Sequence, residues 1–259
     1  MRLHYQVQGQ GSRLIILHGF LGSLDNWHTA SKRLSESFKV YSLDLRNHGQ
    51  SPHNELMSYP IMAEDLLEFL DEENLAEANL LGHSMGGKIA MQFATEHAER
   101  VSKLIVVDIA PKAYPPFQQP LLDALRKIDL KKFKSFGEID AMLAPEVHDD
   151  TTRRFLMKNL AREPTIGFRW KIDLDAIINN YDELTRSIST KNKFNKPTCF
   201  IRAGRSKYIQ DEDVAEIVEI FPQAQIVSIP KAGHWVHIDA PEEFLQIVTD
   251  FLKSPKRSR

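Results

Sequence analysis

The sequence predicts an α/β fold in which helices cover both faces of a mostly parallel sheet. Three observations predict it. Residues 14–17, 40–43 and 103–107 form short, largely apolar runs, as a central strand covered on both faces requires. A run with helical spacing, 61–70 with Ala63, Leu66, Leu67 and Phe69, falls between them. The segment Gly82-His83-Ser84-Met85-Gly86-Gly87 then joins an apolar run (78–81) to a helical pattern (88–94), which reads as strand, tight turn, helix.

In chain order, Met1 to Val7 alternates like a strand and lacks the long apolar stretch of a secretion signal. The strands and helices named above follow as far as residue 107. The character changes after Ala110. Residues 111–188 carry prolines at 111, 115, 116, 120, 145 and 164, much charge, few strand candidates, and helical pieces at 121–126, 152–160 and 174–178. After Lys196-Pro197 the alternation resumes, with strands at 198–202 and 225–229 and helices at 213–220 and 242–252. The trailing part holds too few strands to form its own core. The expectation is therefore one core, residues 1–110 and 191–259, interrupted by a helical cap, residues 111–190.

Composition excludes several classes of function. At 259 residues, 42% hydrophobic and 26% charged, the chain can bury a sizeable core and is neither disordered nor a coiled coil. A formal net charge of −2 gives no basic face for nucleic acid. No apolar stretch is long enough to span a bilayer, so a soluble cytoplasmic protein is expected, monomeric or weakly dimeric. The basic tail from Lys253 to Arg259 reads as a frayed, solvated terminus. The single cysteine, Cys199, lies in a strand-like run and reads as a small buried hydrophobe. The ten histidines fall into no metal-ligand spacing, and no cofactor is expected.

Four loops carry the chemistry. In the first, the small residues Gly82 and Gly86 let strand and helix approach, so the Ser84 oxygen projects from the carboxyl end of the sheet beside the Met85 N–H. A serine needs a base and an orienting acid. In the second, Leu17-His18-Gly19-Phe20-Leu21-Gly22-Ser23 turns sharply after its strand. The Phe20 and Met85 N–H groups can hold an oxyanion there, and one such donor is worth roughly 3–4 kcal/mol in a transition state. An ordinary strand-to-helix loop explains the second segment alone; beside Ser84 the functional reading is preferred. In the third, residues 44–51, Asp44, Arg46 and Ser51 are expected to brace the loop, and His48 ranks below other candidate bases. The fourth, Ala232-Gly233-His234-Trp235-Val236-His237, follows the last strand and offers His234 as the base, with His237 read as packing or capping.

The acid has two candidates. Asp211 is the first carboxylate after the strand at 198–202, where the chain first reads Ala203-Gly204-Arg205-Ser206, and its ordinary role is at a helix N-terminus. Asp108 closes the buried run ending Val106-Val107 and is preferred, because a buried carboxylate needs partners and an imidazole N–H is a natural one.

With these segments assembled, the chain resembles the α/β-hydrolases over nearly its whole length, and more narrowly the bacterial YbfF-type esterases. The matching stretches are His18 to Asn26, Asp44 to Pro52, Gly82 to Lys88, Val107 to Pro111 and Gly233 to His237. The resemblance implies an eight-stranded core sheet, a helical cap, an acid after the sixth strand at Asp108, and hydrolysis of small-molecule acyl esters, with acyl-CoA thioesters included. Phe117, Phe168, Trp170 and Trp235 are candidate walls for the acyl group. The rival expectations are a carbon–carbon bond hydrolase or lyase with the same triad, using Arg46, Arg126 or Arg169, and a non-catalytic ligand receptor.

Overall fold

The computed structural model describes residues 1–163 and 167–255, so residues 256–259 of the basic tail lie outside it, as does Pro164. The chain runs through β1 (Tyr5–Gln8), β2 (Arg13–Leu17), α1 (His28–Leu34), β3 (Lys39–Leu43), α2 (Tyr59–Glu72), β4 (Ala78–His83), α3 (Met85–Glu96) and β5 (Val101–Val107). Next come α4 (Gln119–Arg126), α5 (Phe136–Leu143), α6 (Asp150–Met157), β6 (Leu160–Glu163), β7 (Gly167–Trp170), α7 (Leu174–Asn179) and α8 (Tyr181–Thr185). It closes with β8 (Thr198–Ala203), α9 (Val214–Ile220), β9 (Ala224–Ile229), α10 (Val236–Asp239) and α11 (Pro241–Lys253).

Among the described residues the main sheet has seven strands in the order β1-β3-β2-β4-β5-β8-β9. Only β1 runs antiparallel, pairing with β3 at the edge. The count corrects the implied eight: residues 1–4 lie in no strand, so Asp108 follows the fifth strand rather than the sixth.

The continuous apolar runs are explained by two cores, one on each face of the sheet. Ile15, Leu17, Leu80, Leu104 and Val106 point to one face, where α2 and α3 supply Leu66, Phe69, Ile89 and Phe93. Leu14, Ile16, Leu81, Ile105 and Val107 point to the other, against Leu34 of α1 and Phe244 and Val248 of α11. The period-two alternation of a strand thus feeds both faces. Cys199 belongs to the second core and is fully buried, and burial pushes its thiol up to about 11, which makes it inert near neutral pH.

Two features of the topology position a site. After β2 the chain moves outward to β3, then returns to place β4 on the other side of β2. The loops leaving β2 and β4 therefore part at this switch point and open a crevice at the strands' carboxyl ends. In addition, the whole stretch from Asp108 to Pro197 is inserted between the neighbouring strands β5 and β8. It is not purely helical: β6 and β7 pair as an antiparallel hairpin, and the helical piece expected at 152–160 ends at Met157, with Leu160 opening β6. The insertion is tied to the core by Asn159 Nδ2 donating to Leu21 O (2.6 Å), Asp173 N to Asn47 O (2.9 Å) and Tyr59 Oη to Leu184 O (2.6 Å). Among the described residues no helix is long and apolar enough to cross a membrane.

Candidate active site

Ser84 sits between β4 and α3 with φ +52°, in a region that non-glycine residues enter only under strain. The turn is held open at a cost the surroundings impose. Ser84 N donates to Val107 O (3.0 Å) on β5, and Lys88 N donates back to Ser84 O (3.1 Å). The turn closes because Gly82 and Gly86 carry no side chain. A Cβ on Gly82 would overlap the Gly86 carbonyl, and one on Gly86 would overlap the Leu17 carbonyl of β2. Met85 is the first residue of α3, so its N–H is among those that a helix leaves without an internal partner, at the positive end of the dipole.

The loop after β2 comes alongside. Gly22 N donates to Gly19 O (3.0 Å), and Leu21 adopts φ +54°, which curls the backbone around Phe20. His18 underpins the loop: its Nε2 accepts from Leu45 N (3.0 Å), so Nδ1 is the protonated nitrogen and donates to Gly19 O (2.8 Å). Burial pushes the His18 pKa down to about 4, so the ring stays neutral and structural.

The loop at 44–51 braces the crevice from behind. Asp44 accepts from Leu24 N (2.8 Å) and Gln50 N (2.9 Å), Ser51 Oγ donates to Asp44 O (2.5 Å), and Arg46 makes a two-pronged buried pair with Asp65 (2.5 and 2.7 Å). Arg46 is thereby committed to the fold. His48 donates from Nδ1 to Arg46 O (2.8 Å) and stays neutral under burial, with its pKa pushed down to about 3.

His234, on the loop after β9, meets Asp108 across the sheet. Its Nδ1 lies 2.7 Å from Asp108 Oδ2, while Asp108 Oδ1 accepts from Ala203 N (3.0 Å). Asp108 is fully buried and takes φ +49° just past β5. With both carboxylate oxygens engaged, the imidazole carries its proton on Nδ1 and presents a bare Nε2. Asp211, the other candidate, lies at the surface and pairs instead with Arg202 (2.5 Å). The His234 ring is further fixed by stacking on Tyr208 (centroids 4.1 Å apart) and by His83, whose Nε2 donates to the His234 carbonyl (2.9 Å).

Ser84 and His234 both line a cavity of about 190 Å³ whose walls include Gly19, Phe20, Leu121, Phe155 and Trp235. A second cavity, about 50 Å³, also opens on Ser84 and includes Phe20, Met85, Phe117 and Lys88 in its walls. Of the residues proposed as acyl walls, Trp235 thus faces the larger space and Phe117 the smaller. Phe168 and Trp170 line neither. Phe168 is buried within the inserted segment, edge-on to Phe136, and Trp170 packs on the hydrophobic core from β7. His237 lines the larger cavity and stacks flat on Trp27 (4.2 Å). His83, Tyr208, Phe155 and Lys88 were not singled out from sequence as site residues. Tyr208 and Phe155 reach the site through tertiary contacts alone, whereas His83, directly before Ser84, and Lys88, one helical turn past it, had a local signal.

A family model described as alpha/beta hydrolase fold matches residues 12–241. Among curated relatives, the sn-1-specific diacylglycerol lipase ABHD11 of Mus musculus is 35% identical over 247 residues, 92% of this chain and 80% of that one. Esterase YbfF of Escherichia coli (strain K12) is 29% identical over 248 residues, 95% of both chains. A solved structure of a marine microorganism esterase superposes with a TM-score of 0.94 at 41% identity, covering 96% of this chain and 98% of that one. Because the family model spans most of the chain and the mouse lipase aligns with nearly all of it, this protein belongs to the α/β-hydrolase family.

Proposed function

We propose that this protein is a serine hydrolase that cleaves carboxylic esters of small molecules through an acyl-serine intermediate. The reading rests above all on one observation: His234, held by Asp108 through Nδ1, lines the same cavity as the strained Ser84 turn. The esterase and lipase relatives support the ester as substrate class.

In this proposal His234 Nε2 takes the Ser84 hydroxyl proton as Oγ attacks the ester carbonyl. The carbonyl oxygen becomes an oxyanion held by the Phe20 and Met85 N–H groups. His234 then gives its proton to the departing alcohol. Water enters, loses a proton to the same imidazole and releases the acid. Asp108 holds the Nδ1–H tautomer and offsets the positive charge that the ring acquires. The inserted segment, residues 111–190, acts as a cap that walls the cavity and excludes water. The same steps serve acyl-CoA thioesters, whose leaving group needs less help from the acid.

Assays of nitrophenyl esters from acetate to decanoate, run beside matching acyl-CoAs and a panel of diketones, test the proposal. Esters are expected to turn over at rates that vary with chain length, and diketones are expected to stay intact. Folded protein that leaves every ester intact, or cleaves only diketones, contradicts it.

A further inference from the structure

The proposed chemistry makes no use of the buried cation beside Ser84. Lys88 lies on α3 one turn beyond Ser84 and is 1% exposed. Its ammonium donates one hydrogen bond, to the Arg186 carbonyl, and sits over the rings of Tyr59 (5.2 Å) and Tyr114 (4.9 Å). No ion pair reaches it among the described residues. Desolvation pushes its pKa down to about 7, the mark of a cation whose charge is poorly compensated. An ammonium has three N–H donors, and the neighbouring hydroxyls do not compete for what they bind. Tyr59 Oη donates to Leu184 O (2.6 Å) and Tyr114 Oη to Tyr208 O (2.5 Å), both joining the insertion to the core, and Tyr181 Oη donates to Gln118 Oε1 (2.6 Å) within the insertion.

Lys88, Tyr59 and Tyr114 line the smaller cavity, which begins at Ser84. Its volume of about 50 Å³ is room for on the order of three to five heavy atoms. On the proposed mechanism the two cavities have distinct roles. The leaving alcohol must depart beside the imidazole that protonates it, and His234 lines the larger cavity but not the smaller one. The smaller cavity is therefore left for the acyl half.

We infer that Lys88 is a specificity-determining residue that binds the far carboxylate of a short dicarboxylic half-ester, with the acyl chain in the small cavity and the apolar alcohol portion in the large one. A carboxylate there supplies the ammonium with the counter-charge it lacks, in a site already stripped of water. This inference rests on the ester-hydrolase reading and deepens it.

The test compares 4-nitrophenyl half-esters of succinate and glutarate with the neutral 4-methylpentanoate and 5-methylhexanoate esters, which match them in shape. The native protein is expected to prefer at least one half-ester over its neutral counterpart by tenfold or more in kcat/KM, mostly through KM. Lys88→Met is expected to collapse that ratio to about one or below, whatever happens to either rate alone. Native protein that hydrolyses the neutral esters with no preference for either half-ester overturns the inference while leaving the ester reading intact. A preference that persists in Lys88→Met also overturns it. Native protein that hydrolyses none of the four removes the ester reading itself.

Discussion

Replacing Ser84 with alanine is expected to lower ester turnover by at least about 10⁴-fold, a loss of roughly 5 kcal/mol of transition-state stabilisation. On the proposed mechanism the oxygen that forms the acyl intermediate is gone, and only binding and the oxyanion donors remain to assist water. The fold has little reason to change. Alanine takes the same positive φ at about the same strain, and the backbone bonds from Ser84 to Val107 and Lys88 do not involve the side chain. The thermal midpoint is therefore expected within about 3 °C of the parent. Initial rates on a nitrophenyl ester beside a melting curve check both halves. Turnover within tenfold of the parent in a folded variant refutes the role given to Ser84.

The second large effect is expected from Asp108→Asn, a loss of about 10³- to 10⁴-fold in kcat with KM little changed. The physical reason is the tautomer. Asn Oδ1 can still accept from Ala203 N, which leaves the amide NH₂ facing His234 Nδ1. That nitrogen must then accept rather than donate, so the ring proton moves to Nε2, the nitrogen assigned to take the serine proton. The imidazole can no longer take the serine proton. Asp211→Asn is the matched control. It removes an exposed pair with Arg202 worth about 0–1 kcal/mol, and its kcat is expected within twofold of the parent. Steady-state kinetics on the two variants separates the candidate acids, and the reverse pattern would transfer the role to Asp211.

The two acids show where the sequence is legible and where it is not. The runs at 14–17, 40–43 and 103–107 announce buried parallel strands because burial on both faces leaves few polar positions, Ser42 and Lys103 being the exceptions, and the strands found there feed both cores. The serine turn is equally visible, since its glycines answer a local overlap between β4, α3 and β2. The acid is different in kind. Nothing within ten residues of Asp108 says that His234 will stand 2.7 Å away, 126 positions later. Burial at a strand end and the family resemblance favoured it over Asp211, and neither names its partner. The strand count fared less well, because it came from resemblance rather than from residues, and residues 1–4 form no strand.

The inserted segment was the least legible part. Its prolines and charge mark a break in the alternation, but the hairpin of β6 and β7 is made of four-residue strands whose pairing depends on each other. Phe168 and Trp170 were candidate substrate walls as large aromatics of the expected cap, although packing within the cap's own core is the commoner use of such residues. Both lie on β7 and pack away from the cavities at Ser84. Lys88 was equally hard to place. A lysine one turn into a helix is ordinarily solvated, and only the tyrosines that close over it from α2 and the insertion make it a buried charge.

The proposed chemistry makes the Ser84 oxygen the nucleophile and His234 the base that activates it. Mass spectrometry of the protein after reaction with a fluorophosphonate reports on both together. One adduct per chain is expected, located on the peptide containing Ser84, with a labelling rate lower by orders of magnitude in His234→Ala. Folded protein that stays unlabelled, or carries the adduct on another residue, would contradict it.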